Sequence, residues 1–267
     1  MAIVTISREC KSGSSEIGQA VAKELSYEFL DKKRIFSEIK KYGEHWAKLD
    51  KELDETSPDI WERYDLGYHG LIALIESIIF QYARKDNCVI IGRGGNYLLR
   101  DIPFVLKVRI IAPLEIRIAR MMEKEHIDRR TAEESIKEVD KKRAGYIEAN
   151  YGRDWEDIKS YDMVFNTGDK TFTETTEIVV AALKKYDQHK TPEALDLLSG
   201  RADAALLKAI IAIDTRLTVP TLDVVYDGKR VVIRGTVHNP KERHLIEEII
   251  DKAPITRPIK NEMHYRG

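Results

Sequence analysis

The polar segment after the first apolar run of the chain is the first candidate for chemistry. Residues 2–6 are largely apolar and partly β-branched, residues 7–15 are mostly polar, and apolar residues then recur at helical spacing from Ile17 to Leu25. A loop that joins a parallel strand to a helix presents backbone N–H groups at the positive end of the helix, where anions bind. The phosphate-binding pattern G-x-x-x-x-G-K-[ST], laid over Arg8–Ser15, matches only Gly13 and Ser15. On these residues alone, an ordinary polar turn is an equal alternative.

Arginines form a second group of candidates. Arg93 lies within a glycine-rich segment directly after the apolar run 88–91, where packing gives little reason for an arginine. Arg117 and Arg120 are three positions apart near several glutamates, so on their own they are typical of solvated pairs on a helix face. Arg93 is therefore the arginine that the pattern itself favours as an anion ligand.

Apolar runs alternate with helical stretches over the first two thirds of the chain. Such alternation predicts an α/β fold in which a mainly parallel sheet is covered by helices on both faces. The predicted strands are 2–6, 88–91, 105–111 and 163–165, and the predicted helices are 17–25, 31–42, 66–84, 114–125, 129–149 and 173–186.

The pattern changes near the C-terminus. Asp227-Gly228 between two alternating apolar runs predicts a hairpin, and Asn239-Pro240 predicts the start of a helix. The result is a small α+β arrangement in the order αββαβ. Its predicted elements are a helix over 202–217, strands over 222–226 and 231–233, a helix over 239–253 and an edge strand over 259–265.

Five segments together resemble the cytidylate-kinase-like family, in the order and spacing of that family over residues 3–186. The resemblance implies a nucleoside-monophosphate-kinase fold, with a P-loop kinase-like parallel sheet and an arginine-bearing lid. Phosphoryl transfer on such a fold needs bound phosphates and positioned cations rather than covalent chemistry. The segments are 3–9 with 12–13 and 16–18, 89–97, 112–115 with Arg117 and Arg120, 140–144, and 161–167.

The resemblance implies roles for three groups of residues, with ATP and Mg²⁺ as cofactors and a nucleotide and a small phosphorylated acceptor as partners. The nucleotide-phosphate group is Arg8, Lys11, Ser12, Gly13, Ser14 and Ser15, with the Ser15 hydroxyl as a Mg²⁺ ligand. The acceptor-binding group is Asp31, Arg34, Arg93 and Asn96. The lid or catalytic arginines are Arg117, Arg120 and Arg143.

The chain departs from the family pattern at the residues that would carry charge. Ser14 and Ser15 stand where a P-loop cation is expected, Lys11 replaces a glycine, and Gly94 replaces the aspartate that follows the arginine. Losing one such cation costs about 3 kcal/mol of transition-state stabilisation. Two hypotheses therefore stay open: a cytidylate-like kinase, or a catalytically impaired pseudokinase that binds nucleotide and acts as a sensor or switch through its C-terminal domain.

The C-terminal segment resembles a BON domain, most clearly at Val231–Val237, although Pro254-Ile255 replaces the usual Gly-Val. The resemblance implies a non-enzymatic module that binds a small ligand, a lipid or a protein partner. The predicted organisation is a nucleotide-binding domain over 1–187, a linker over 188–200 and a BON domain over 201–267. The linker begins polar and holds a proline, and its Ala194–Leu198 part is also compatible with a helix.

Composition bounds the remaining possibilities. Lys+Arg 44 against Asp+Glu 45 gives a net charge of −1, which does not favour a nucleic-acid partner. The two cysteines form neither a disulfide framework nor a zinc site. The N-terminal apolar run is too short for a signal peptide and the longest other run is half a membrane span, so we expect no transmembrane segment and a cytoplasmic protein.

Three tryptophans lie in polar stretches: Trp46, Trp61 and Trp155. Two roles stay open for them, which are packing on the acceptor side of the site and simple anchoring of the chain.

Overall fold

The computed structural model describes residues 2–53, 58 and 65–265, so Trp61 lies outside the described residues. The chain divides into two compact units. The first unit comprises Met1–Ile35, Leu53–Pro58 and Lys85–Lys190. The second unit comprises Phe36–Glu52, Asp59–Arg84 and Thr191–Gly267.

Strands and helices alternate along the described residues, as predicted. In chain order they are β1 (Ile3–Arg8), α1 (Ser14–Leu25), β2 (Glu28–Leu30), α2 (Lys32–Ile39), α3 (Glu44–Leu53), α4 (Leu66–Arg84), β3 (Cys88–Ile91), α5 (Gly95–Leu98), β4 (Val105–Ile111), α6 (Leu114–Glu125), α7 (Arg129–Tyr151), β5 (Met163–Asn166), α8 (Phe172–Tyr186), α9 (Pro192–Ala212), β6 (Asp223–Tyr226), β7 (Val231–Val237), α10 (Pro240–Lys252) and β8 (Ile259–Tyr265).

The first unit is built on a five-stranded parallel sheet in the order β2-β3-β1-β4-β5. On one face, Val4 and Ile6 of the central strand pack with Val21 of α1 and Leu183 of α8 in one buried cluster. On the other face, Gly95 of α5 approaches Thr5 closely. Because every strand points the same way, the loops after the strands meet at one edge of the sheet. The predicted α/β fold is confirmed, with β2 added to the predicted strands.

Helices α7 and α8 of this unit begin at well-formed caps. The Asp128 side chain accepts hydrogen bonds from the backbone amides of Arg130 and Thr131, which fixes the start of α7. Thr171 and Glu174 form a capping box at the start of α8. These caps fix the first residues of two helices that pack in the first unit.

The second unit contains the three-stranded sheet β6-β7-β8. Strands β6 and β7 are antiparallel around the Asp227-Gly228 turn, and β8 pairs in parallel with β7 at the edge. The Asn239 side chain accepts a hydrogen bond from the Glu242 amide and caps α10. Ile233, Leu207 and Ile246 share one buried core. The predicted αββαβ order of elements is present.

Helix α9 covers much of the segment predicted as a linker. Thr191 caps the helix and Pro192 occupies its first turn, so the polar, proline-containing start of the segment is a helix start rather than a flexible connection. Within the second unit, α9 packs on α4. Arg84 Nη1 lies 2.8 Å from Asp203 Oδ1, and Lys208 Nζ lies 3.7 Å from Glu76 Oε2. Helix α4 thus shares a compact unit with the C-terminal elements.

Candidate functional site

The loop between β1 and α1 keeps several backbone donors available. Lys11 and Gly13 have positive φ values of 60° and 86°, a conformation that turns neighbouring amides toward a common point. Within the described part of the chain, the amides of Gly13, Ser14 and Ser15 have no hydrogen-bond partner. A Cβ at Gly13 would lie 2.2 Å from the Phe172 ring, so only glycine fits there. The loop has the donor arrangement of an anion site at a helix N-terminus.

The loop between β3 and α5 is strained. Gly92, Arg93 and Gly94 have consecutive φ values of 75°, 53° and 71°. Such a conformation is unfavourable for arginine and persists only where the surroundings enforce it. The Tyr151 hydroxyl donates to the Arg93 carbonyl at 3.1 Å, and the Tyr151 ring occupies the space that a Cβ at Gly94 would need. Helix α7 thereby holds the backbone of Arg93 in place.

A small cleft lies between the end of β1 and the β3–α5 loop, inside the first unit. Three arginines contribute to its wall, and Arg143 also donates to the Arg8 carbonyl at 3.2 Å. Guanidinium groups bind phosphate oxygens through planar, charge-assisted hydrogen bonds, so the cleft is suited to a phosphate group. Its lining residues are Ser7, Arg8, Gly92, Arg93, Gly94, Asn96, Arg143, Tyr146, Ile147 and Trp155.

Asn96 adds a neutral donor to the same cleft. Its side chain is 5% exposed, and the amide Nδ2 has no hydrogen-bond partner in the described structure. A buried amide donor without a partner costs free energy, and such groups in folded proteins call for an explanation. A ligand in the cleft would supply the missing acceptor.

The floor of the cleft is a buried polar network. The indole Nε1 of Trp155 donates to the Ser7 hydroxyl at 3.1 Å. Beneath them, Arg109 of β4 donates to the Trp155 carbonyl at 2.7 Å, and its guanidinium carbon lies 4.4 Å from the Trp155 ring centroid. Arg109 is 3% exposed. The wall and the floor therefore both carry positive charge.

A set of ion pairs ties α6 and α7 to the start of the β1–α1 loop. Arg117 Nη1 lies 2.5 Å from Asp140 Oδ2, and Arg117 Nε lies 3.5 Å from Glu9. Asp140 also accepts a hydrogen bond from the Cys10 amide at 2.7 Å. Burial is the main factor that raises the pKa of the Cys10 thiol, so this cysteine stays neutral within the loop.

Known proteins with similar sequences identify the family of the chain. The sequence model of the cytidylate kinase-like family matches residues 3–169. The chain belongs to the cytidylate kinase-like family. A cytidylate kinase of Sulfurisphaera tokodaii is 28% identical over 183 residues, which cover 68% of this chain and 94% of that protein. A cytidylate kinase of Sulfolobus acidocaldarius is 25% identical over 190 residues, which cover 70% and 96%.

One solved structure supports the fold of this cytidylate kinase-like chain. An uncharacterized protein from Eubacterium ventriosum matches 69% of this chain and 99% of its own length, with a TM-score of 0.53 and 21% identity. At that identity, the likeness shows the fold alone. Among the described residues, no helix combines the length and apolarity needed to cross a membrane.

The cytidylate kinase-like fold brings together some of the predicted site residues. Arg8, Arg93, Asn96 and Arg143 all line the cleft. Ser12 is fully buried in the β1–α1 loop, and its hydroxyl has no partner in the described structure. These residues lie at or just after the ends of the neighbouring strands β1 and β3, except Arg143, which lies on α7.

Other predicted site residues lie apart from the cleft. The Asp31 carboxylate accepts from the Arg34 amide at the start of α2 and acts there as a helix cap, and Arg34 itself is exposed. Lys11 Nζ lies 2.5 Å from Glu125. Arg120 donates to the Lys11 carbonyl and to Thr167, and it stacks on Phe172. Arg120 and Arg117 therefore support the β1–α1 loop from outside.

Arg109 is the residue of the site that the sequence pattern does not reveal. It lies inside the apolar run 105–111, where an isolated arginine is typical of the solvent-exposed side of a strand. Arg109 lies under the cleft for two reasons. Strand β4 pairs with β1, which places Arg109 beside Ser7, and the Trp155 ring packs against its guanidinium. Trp155, left open between two roles, proves to be part of the cleft wall.

Proposed function

We propose that the chain is a phosphotransferase that moves a phosphoryl group from ATP to a small phosphorylated acceptor such as a nucleoside monophosphate. The observation that carries this proposal is the convergence of Arg8, Arg93 and Arg143 on one cleft beside a loop of available amides. The cleft would bind the acceptor phosphate and the loop would bind the donor phosphates. Membership of the cytidylate kinase-like family supports both assignments.

The residues of the β1–α1 loop fit a nucleotide with its metal. The amides of Gly13, Ser14 and Ser15 would bind donor phosphate oxygens, and the exposed Ser15 in the first turn of α1 would offer its hydroxyl to Mg²⁺. No cluster of three or more His, Cys, Asp or Glu side chains suited to a metal occurs in the described ranges. This fits Mg²⁺, which commonly keeps its waters and binds through phosphates and one or two protein groups. When bound, Mg²⁺ neutralises charge on the phosphate oxygens.

Catalysis by the chain's own groups would rest on position and charge. Arg93 and Arg143 would orient the acceptor phosphate, while Asn96 would donate a further hydrogen bond. Burial of the cleft floor excludes water and strengthens these interactions.

A second candidate function rests on the cations near the loop. Lys11 is paired with Glu125, and Arg117 is paired with Asp140 and Glu9. In this conformation neither cation faces the donor phosphates, and Ser14 and Ser15 supply none. A pseudokinase that binds nucleotide without turnover is consistent with these pairs.

A coupled kinase assay with ATP–Mg²⁺ over a panel of nucleoside monophosphates separates the two functions. Turnover with at least one acceptor supports the kinase. Binding of ATP without turnover on any acceptor supports the pseudokinase. The variant Ser15→Arg restores a cation to the first turn of α1, and a gain of activity in it would assign the low activity of the parent chain to the missing charge.

For the C-terminal elements we propose a BON-type module that binds a small ligand, a lipid or a protein partner and tunes the kinase-like region. Its αββαβ order supports this assignment. The proposal assigns the nucleotide function to residues 1–187 and the BON-type function to residues 201–267, joined by 188–200, and it includes a cytoplasmic location. These are divisions of function rather than of folding, because α4 and α9 share one compact unit with the C-terminal elements.

A further inference from the structure

Arg109 is a buried cation whose partners are all neutral. It donates to the Trp155 carbonyl at 2.7 Å and lies 3.3 Å from the Tyr161 hydroxyl and 3.5 Å from the Ser7 hydroxyl. Its guanidinium also faces the rings of Trp155 and Tyr161 at 4.4 and 5.4 Å. Across the described ranges of the chain, no carboxylate forms an ion pair with it. Arg117 of α6 and Arg143 of α7 differ from Arg109 because each has a carboxylate partner: Asp140 lies within 4 Å of both.

Such an arrangement is unfavourable for the folded chain alone. An arginine stays protonated in proteins, and a buried charge without a counter-charge loses its hydration without full compensation. Stacking on indole and phenol rings recovers part of this cost. An apolar side chain of similar length would fill the same space at no electrostatic cost.

The position of Arg109 suggests what compensates its charge. Its neighbours Ser7 and Trp155 line the cleft, and Arg8, Arg93 and Arg143 line the same cleft. A cation behind a buried wall acts through a medium of low polarity, where its field is screened less than in water. The titratable groups shown beside it are Tyr161, which it contacts, and Tyr97, whose hydroxyl lies 3.3 Å from the Tyr161 hydroxyl.

We infer that Arg109 is a positioning residue whose charge is balanced by a doubly charged phosphate bound in the cleft. It acts through Ser7 and Trp155 without touching the ligand, and it favours the dianionic over the monoanionic form of the acceptor phosphate. This inference rests on the proposed function, in which the cleft binds that phosphate. The inference adds to the proposed function a preference for the dianionic phosphate, which the arginines of the cleft wall alone do not require.

The probe is inorganic phosphate, titrated into the full chain by calorimetry across the pH range of its second ionisation. Wild-type affinity is expected to rise with pH as the dianion forms. Arg109→Met is expected to bind the dianion about tenfold more weakly, with a flatter pH profile. Arg109→Lys should keep the rise of affinity with pH.

Lys107→Met is the matched control, since it removes a cation from the same strand, but one paired with Asp162 at 3.4 Å. It should leave the phosphate affinity and its pH profile unchanged. Unchanged affinity in Arg109→Met, or loss of the pH profile in Arg109→Lys, would overturn the inference. If wild-type protein binds no phosphate at any pH, the proposed function fails first and the inference fails with it.

Discussion

The carboxylate of Asp140 accepts a hydrogen bond from the backbone amide of Cys10, with 2.7 Å between Oδ1 and the nitrogen. Asp140 lies on α7 and Cys10 lies at the start of the β1–α1 loop, so one carboxylate joins α7 to the candidate phosphate-binding loop. Arg117 completes the contact from α6. The loop therefore depends on charges that are distant in sequence.

Asp140→Asn is expected to destabilise the fold, because Arg117 is only 9% exposed and loses its strongest ion pair. We expect a fall of about 3 kcal/mol in the free energy of unfolding, measured with urea. Glu133→Gln on the same helix is the control, since its pair with Lys137 is exposed and should contribute nothing measurable. Equal effects of the two substitutions would contradict a buried role for Asp140.

Arg93→Ala is expected to weaken acceptor binding more than ATP binding, since the guanidinium lies in the cleft wall. Loss of a charge-assisted hydrogen bond should reduce affinity for the acceptor roughly ten- to hundredfold. Calorimetric titration with each nucleotide measures both affinities. Arg100→Ala, an exposed arginine beside Asp101, should change neither. Acceptor affinity that survives in Arg93→Ala would exclude the assigned role.

Gly94→Ala tests the packing of α7 against the β3–α5 loop. Gly94 and Gly152 both have positive φ, but a Cβ at Gly94 would overlap the Tyr151 ring, whereas nothing lies within 4 Å of a Cβ at Gly152. Both substitutions strain the backbone, and only the first also overpacks. We expect Gly94→Ala to lose about 2 kcal/mol more unfolding free energy than Gly152→Ala. Similar losses would mean that the ring moves freely.

Glu76→Gln gives a pH-dependent prediction for the second unit. Burial raises the pKa of Glu76, and Lys208 opposes this only in part. A carboxyl whose pKa is higher in the folded state stabilises the protein at low pH and loses that contribution as pH rises through the folded pKa. The melting temperature of Glu76→Gln relative to wild type should therefore increase from pH 5 to pH 8. A difference that stays constant between pH 5 and pH 8 would refute the prediction.

The fragment 201–267, which is the predicted BON domain, is expected not to fold alone. It begins within α9 and leaves behind α4, whose Arg84 and Glu76 pair with Asp203 and Lys208. Circular dichroism and thermal melting of the fragment provide the measurement. A cooperative transition in the fragment would support the predicted boundary at residue 200 instead.

Several features of the site follow from sequence because they are local. Apolar runs that end at Ser7 and Gly92 predict two loops after parallel strands, and parallel strands place such loops at one edge. Asp227-Gly228 and Asn239-Pro240 predict the hairpin and the helix start from turn and cap chemistry.

The rest of the site depends on contacts between distant segments. Ser7, Arg109 and Trp155 meet only after the sheet forms and the chain returns past α7, so no short pattern marks them. Helix α9 runs through the predicted linker because Thr191 caps it and α4 covers its apolar side. A polar segment with a proline is common to linkers and to helix N-termini. Here the packing of α9 on α4 stabilises the helix.

Calorimetric titration of the full chain with ATP–Mg²⁺ and then with a panel of nucleoside monophosphates tests the central claim most directly. Both kinds of ligand should bind, and Arg93→Ala should lose more affinity for the monophosphates than for ATP. Absence of binding for every mono-, di- and triphosphate would contradict a phosphate site at the β1–α1 loop and the arginine cleft.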